Sequence, residues 1–203
     1  MKFIDQLKEK AKQNKKTIVL PETSDMRTIE AAGKVLAEGI ANIILVGDKE
    51  DIMSRAGDID LSGASFVDPK NYEKFDEYVD AFVEMRRKKG MTEARAKELL
   101  LTNPLYFGCM MVKQDDADGM VAGAINASAD VLRAALQTLK TAPGTRIVSA
   151  FFLVVVPDCQ YGANGTFVFA DAGLNQSPSA SELADIAEQS AKSFELLVDE
   201  TPV

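Results

Sequence analysis

Thr17-Ile18-Val19-Leu20-Pro21 and, one helix-length later, Asn42-Ile43-Ile44-Leu45-Val46-Gly47 decide the fold class. Both runs are apolar without alternation, the pattern of strands covered on two faces and therefore paired in parallel. Between them Ile29, Ala32, Val35 and Leu36 recur at helical spacing. Ser24 or Asp25 can cap that helix, and Gly39 supplies its left-handed stop. Strand, helix and strand within about thirty residues make the opening of the chain α/β.

Outward from this unit, Phe3, Ile4, Leu7 and Ala11 predict a first helix. Asp48 starts a short helix through Ile52 and Met53 to Gly57, and Ala64 to Val67 reads as a third strand before Asp68-Pro69. Phe75, Tyr78, Val79, Phe82 and Met85 form one face of a long helix from Tyr72 to Lys89, which ends in the basic cluster Arg86-Arg87-Lys88-Lys89. Such a last turn is ordinary helix-dipole chemistry. Thr92 caps the next helix, through Leu99-Leu100-Leu101, and Asn103-Pro104 breaks it; Phe107 to Val112 continue as a further apolar helix. Asp115, Asp116 and Asp118 read as a solvated turn rather than a metal site.

Asp118-Gly119-Met120-Val121-Ala122-Gly123-Ala124 is a glycine-flanked strand running into a small-residue loop, after which Ser128 or Asp130 caps a helix along Leu132, Leu136 and Leu139. A junction of this kind exposes backbone amides to an anion, and Arg133, one turn on, can reinforce them. The plainer reading of Arg133, and more so of Arg86 and Arg87, is a surface arginine on an exposed helix.

Thr141-Ala142-Pro143-Gly144 reads as an interdomain turn, dividing the chain into an N-terminal α/β domain, 1–144, and the first part of a second, 145–203. There Ile147 to Val156 predict a strand, Gly162 to Gly165 a turn, and Thr166 to Ala170 the return strand. Ser179 and Glu182 have capping-box form ahead of a helix whose face is Leu183, Ile186, Ala187, Phe194, Leu197 and Val198. The sequence stops where the next strand is due, so the second domain is expected to be incomplete, with an apolar patch near Phe194 and Leu197 that is either exposed or covered by a partner chain.

Composition narrows the chemistry. With 46% hydrophobic residues in 203, the chain can bury a substantial core. A formal charge of −8 argues against nucleic acid or anionic lipid as a general partner, so an anionic ligand must be met locally. The absence of histidine excludes a Ser-His-Asp triad, a Cys-His pair and histidine-ligated zinc from these residues. Two cysteines, Cys109 and Cys159, cannot build a disulfide framework or a four-cysteine zinc site. Cys159 could be a reactive thiol, but with no histidine to activate it a packed or half-exposed role fits better. The longest apolar run, Ile147 to Val156, falls short of the roughly 20 residues of a membrane helix, and the N-terminus has no signal-peptide core. A cytoplasmic setting is expected.

Lys16-Thr17-Ile18-Val19-Leu20-Pro21-Glu22, Asp118 to Ala124, Leu132-Arg133, Phe151-Phe152 through Val156-Pro157-Asp158-Cys159, and Phe169-Ala170-Asp171 occur in an order that resembles the phosphate acetyltransferases, or phosphotransacetylases, of the phosphate acetyl/butyryltransferase family. The likeness runs from the first helix to the last and corresponds to the N-terminal part of such an enzyme. It implies two α/β domains with mainly parallel sheets flanking a cleft, and a homodimer. The implied reaction exchanges an acetyl group between acetyl-CoA and inorganic phosphate, giving acetyl phosphate and CoA. Neither a metal nor a covalent acyl-enzyme is implied, and no cofactor beyond CoA as substrate.

By the resemblance, Arg86 and Arg133 contact the phosphate or CoA end of the cleft, and the loop Asn126 to Asp130, with Asn126 and Ser128, binds substrate. Several positions depart from the family pattern: Asn126 replaces a usual histidine, Ala127 and Ala129 replace hydroxyl residues, and Ala134 replaces a proline. The family's Asn-Asp-Leu-Ser-Arg-Gly stretch, with its serine, arginine and nearby aspartate base, has no counterpart in these 203 residues. The catalytic groups are therefore unknown here, and little or no transferase activity is expected of these residues alone. The alternatives are a phosphate butyryltransferase and a non-catalytic acetyl-CoA-binding regulatory module.

Overall fold

The structure, a computed structural model, describes residues 3–202. Residues 8–140 form one compact unit, and residues 3–7 with 141–202 a second.

The first unit is built on four parallel strands, β1 Thr17–Leu20, β2 Asn42–Val46, β3 Ala64–Val67 and β4 Gly119–Met120, in the order β3-β2-β1-β4. Val19 lies opposite Ile44 on one side and Met120 on the other. Successive residues of β1 and β2 point to opposite faces, so each apolar run feeds two cores. On one face Leu20, Ile43 and Leu45 pack with Ile29, Ala32, Ile52 and Leu61. On the other Val19, Ile44 and Val46 pack with Tyr78, Phe82, Leu100, Phe107, Met110 and Met111.

The helices follow from their ends. After α1 (Phe3–Gln13), α2 (Met26–Glu38) is capped by Asp25, whose carboxylate accepts from Arg27 N at 2.8 Å, and stops at Gly39 with φ 68°. Asp48 caps α3 (Lys49–Ala56). α4 (Phe75–Arg86) tightens into a 3-10 turn, Arg87–Lys89, and ends at left-handed Gly90. Thr92 caps α5 (Glu93–Thr102). Asn103-Pro104 then does more than break the helix: the Asn103 side chain accepts from Leu105 N at 3.1 Å and starts α6 (Pro104–Lys113). Every residue from Leu105 to Met111 is buried, so α6 is enclosed all round. A Cβ on Gly108 would lie 2.8 Å from Met120 Sδ and 3.2 Å from Val19 Cγ1, a measure of how closely α6 rides on the sheet.

Three expectations for this unit change. β4 has two residues, because Gly123, with φ 112°, turns the chain away soon after. The cap position of α7 (Ser128–Thr138) is Ala127, which has no side chain to cap with; neither Ser128 nor Asp130 serves. Asp116 is not a solvated turn residue: its carboxylate accepts hydrogen bonds from Tyr78, Lys74 and, at 3.2 Å, Tyr72. Burial pushes its pKa up, but these donors outweigh it and hold the group below the usual aspartate range.

The second unit carries the expected strand, turn and return strand as an antiparallel hairpin, β5 (Phe151–Val155) and β6 (Thr166–Ala170). β5 begins at Phe151 and not Ile147; Val148 O instead accepts from Asn175 Nδ2 at 2.8 Å. α8 (Ala180–Val198) opens with the full capping box of Ser179 and Glu182, and Arg146 binds Asp185 on it at 2.8 Å. The apolar exposure expected near Phe194 and Leu197 falls on the adjoining Leu196 and extends to other residues of the unit. Phe194 is buried and Leu197 half-buried, whereas Leu183, Leu196 and the paired hairpin residues Phe152 and Phe169 are exposed.

Candidate anion-binding site

In an open parallel sheet, ligands gather beyond the carboxyl ends of adjacent strands whose connections leave in opposite directions. Here those strands are β1 and β4. Pro21-Glu22 follows the first and Val121 to Asn126 the second. The side chain of Glu22, a residue only 2% exposed, reaches across to that second segment. Its two oxygens accept from Gly123 N at 2.6 Å, Ala124 N at 2.7 Å, Ile125 N at 3.1 Å, Asn126 N at 2.9 Å and Asn126 Nδ2 at 2.7 Å. Burial drives the Glu22 carboxyl upward, but the bonds from Asn126, Ala124 and Ile125 prevail and lower its pKa to about 2. The segment is gripped a second time by Arg27, whose Nη2 donates to Ala124 O at 2.5 Å while its guanidinium pairs with Asp25.

The loop amides expected to meet an outside anion are thus turned on an internal one. Asn126 commits its backbone N–H and side-chain amide to Glu22. Ser128 opens α7 as an exposed residue.

The arginines are brought together elsewhere in the same unit. A cavity of about 440 Å³ is lined by Arg86 from the end of α4, Lys89 from the 3-10 turn, Arg95 and Glu98 from α5, and Arg133 and Gln137 from α7. Four cations face one carboxylate there, in a chain of formal charge −8. Arg133 pairs with Asp130 one turn back, leaving its side chain 57% exposed. The Nε of Arg86 is buried and has no hydrogen-bond partner in the structure. At the wall, Tyr106 Oη donates to Gln137 Oε1 at 3.2 Å. Convergent guanidinium groups with free donors suit phosphate oxygens, which accept bidentate bonds. Among the described residues no group of three or more His, Cys, Asp or Glu side chains is placed to hold a metal ion.

The sequence reading paired Arg86 with Arg133 through the family likeness alone, and it missed Arg95, Gln137 and Glu22. The four-residue spacing of Arg133 and Gln137 puts both on one helix face and was a usable signal. Nothing local marks Arg95 or Glu22, because their neighbours come from distant segments.

The family model described as "Phosphate acetyl/butaryl transferase" matches residues 2–203. The chain belongs to this family. The phosphate acetyltransferase of Acetivibrio thermocellus is 52% identical over 202 residues, covering 100% of this chain and 60% of the relative. That of Thermoanaerobacterium thermosaccharolyticum is also 52% identical, with 61% of its length covered. Among solved structures, the EutD phosphotransacetylase from Staphylococcus aureus superimposes with a TM-score of 0.85 at 36% identity, over 96% of this chain and 57% of that one. A phosphotransacetylase from Streptococcus pyogenes gives 0.86 at 35% identity, over 96% and 58%. This member of the phosphate acetyl/butyryltransferase family therefore spans about three-fifths of the length of the curated relatives it matches.

Proposed function

We propose that the chain supplies the phosphate and CoA side of a phosphate acetyltransferase, which moves an acetyl group reversibly between acetyl-CoA and inorganic phosphate. The observation that carries the reading is the meeting of Arg86 and Arg133 with Lys89 and Arg95 in one cavity. Every substrate and product of this reaction bears phosphate: phosphate itself, acetyl phosphate, and CoA in both its forms. Both curated relatives described above are phosphate acetyltransferases, which supports acetyl over butyryl.

In the direction of acetyl-CoA synthesis the CoA sulfur attacks the carbonyl of acetyl phosphate. A C–S bond forms, the C–O bond to phosphate breaks, and the thiol proton passes to a base. Guanidinium groups on the phosphate hold it in line and neutralise charge as it leaves. The base and the donors for the carbonyl oxyanion are assigned, by family likeness, to the C-terminal region of full-length relatives. CoA is the substrate, and no other cofactor is invoked. Free Cys109 and Cys159 fit a reducing cytoplasm; among the described residues, no helix is long and apolar enough to cross a membrane. A homodimer is the assembly we propose, to be read by light scattering.

A thiol-release assay with acetyl-CoA and phosphate tests the reading. The 203-residue chain should show little or no turnover. The same chain continued with the C-terminal region of the Acetivibrio thermocellus relative should turn over, and lose rate on Arg133→Ala. Turnover by the 203 residues at the rate of a full-length relative would move the catalytic groups into this chain. Silence from both versions would overturn acetyl transfer.

A further inference from the structure

We propose that Glu22 is a positioning residue of the anion site: its buried carboxylate fixes the segment 123–127 from which α7 springs, and so sets how Arg133 enters the basic cavity. The proposal rests on the reading of that cavity as an anion site.

Four successive backbone N–H groups converging on two oxygens is the geometry by which a polypeptide cradles phosphate. Here the cradle is filled from within, at the point of the sheet where a ligand would otherwise sit. Side-chain burial does little to hold this segment. Gly123, Ala124 and Ala127 offer small or no side chains, and Val121 and Ile125 are 63% and 56% exposed. Its fixed points are Glu22 and the bond from Arg27 to Ala124 O.

α7 inherits that placement. Ala127 gives it no side-chain cap; its fully buried residues, Ala134 and Thr138, lie in the second half of the helix, and Val131 is the first of its residues to pack against the core. The first turn, Ser128 to Asp130, has no core side chain of its own and takes its direction from the segment before it, while Arg133 follows between Val131 and Ala134. Arg133 is six residues past Ala127, about 9 Å along a helix at 1.5 Å per residue, so a small rotation at 123–127 is carried to the guanidinium.

Calorimetric titration of CoA into the 203-residue chain, well below every melting midpoint, tests this together with hydrogen exchange at residues 123–126. Glu22→Gln should keep the far-UV circular dichroism of the parent, lose exchange protection at 123–126, and bind CoA at least tenfold more weakly. Glu22→Asp, which keeps the charge, should recover part of that affinity. A purely structural residue would lower the melting midpoint and leave the affinity of the folded protein unchanged. Parent-like affinity in Glu22→Gln overturns the proposal. If Glu22→Gln does not fold, parent-like affinity in Glu22→Asp with a loosened 123–126 overturns it equally. Arg133→Ala separates the two claims. If it weakens CoA binding while the Glu22 variants do not, the positioning role alone fails; if it has no effect, or the parent binds no CoA, the cavity reading fails and the positioning role with it.

Discussion

Glu22 and Asn126, 104 positions apart in the chain, meet twice: Oε1 of Glu22 accepts both the backbone N–H of Asn126 at 2.9 Å and its side-chain Nδ2 at 2.7 Å. Asn126 thus closes the fold of its own loop.

That bond set predicts a pH dependence. Glu22 sits at about 2 in the folded chain against 4.5 for the ordinary side chain. A depressed carboxylate stabilises above its unfolded pKa and loses that contribution as pH falls through the folded value. The contribution is about 3 kcal/mol at neutral pH, lost between about pH 4.5 and 2. Denaturant unfolding of parent and Glu22→Gln should therefore show a stability gap at pH 6 that narrows toward pH 2. A gap independent of pH would contradict it.

Arg133→Ala is expected to weaken CoA or acetyl phosphate binding by about 1.5–3 kcal/mol, the scale of a charge-assisted hydrogen bond. Its side chain is 57% exposed, so the melting temperature should stay near that of the parent. Equal calorimetric affinities would remove Arg133 from the site.

Asp116→Ala should destabilise the first unit by about 2–4 kcal/mol, since it strips Lys74 and the two tyrosine hydroxyls of a shared acceptor. Urea unfolding with an unchanged slope is the check. A loss below half a kilocalorie would return Asp116 to the solvated turn first expected of it.

Gly108→Ala should cost about 1–3 kcal/mol, the range for overpacking a filled core, because the new methyl meets Met120 and Val19. A rise in melting temperature, as helix propensity alone would give, would show that Met120 moves aside freely.

The parts of the fold that local chemistry dictates were legible. The runs Thr17–Leu20 and Asn42–Val46 are strands, Gly39 and Gly90 stop helices, and Asp48, Thr92 and Ser179 start them. Asp116 was misread because its burial depends on tyrosines some forty positions away. α6 was read short because a helix buried all round shows no polar stripe to mark its turns. The site was legible only by likeness. Arg86 and Arg133 look like surface residues until α4, α5 and α7 enclose a common cavity, and Glu22 gains its meaning from amides it meets across the sheet.

Backbone NMR of the isotope-labelled 203-residue chain, titrated with CoA, tests the central claim most directly. The account predicts that shifts cluster at Arg86 to Met91, Arg95 to Leu99 and Arg133 to Gln137, the residues around the basic cavity, and that Arg133→Ala with Arg86→Ala abolishes them. Saturating shifts confined to the hairpin and α8, or none at all, would contradict it.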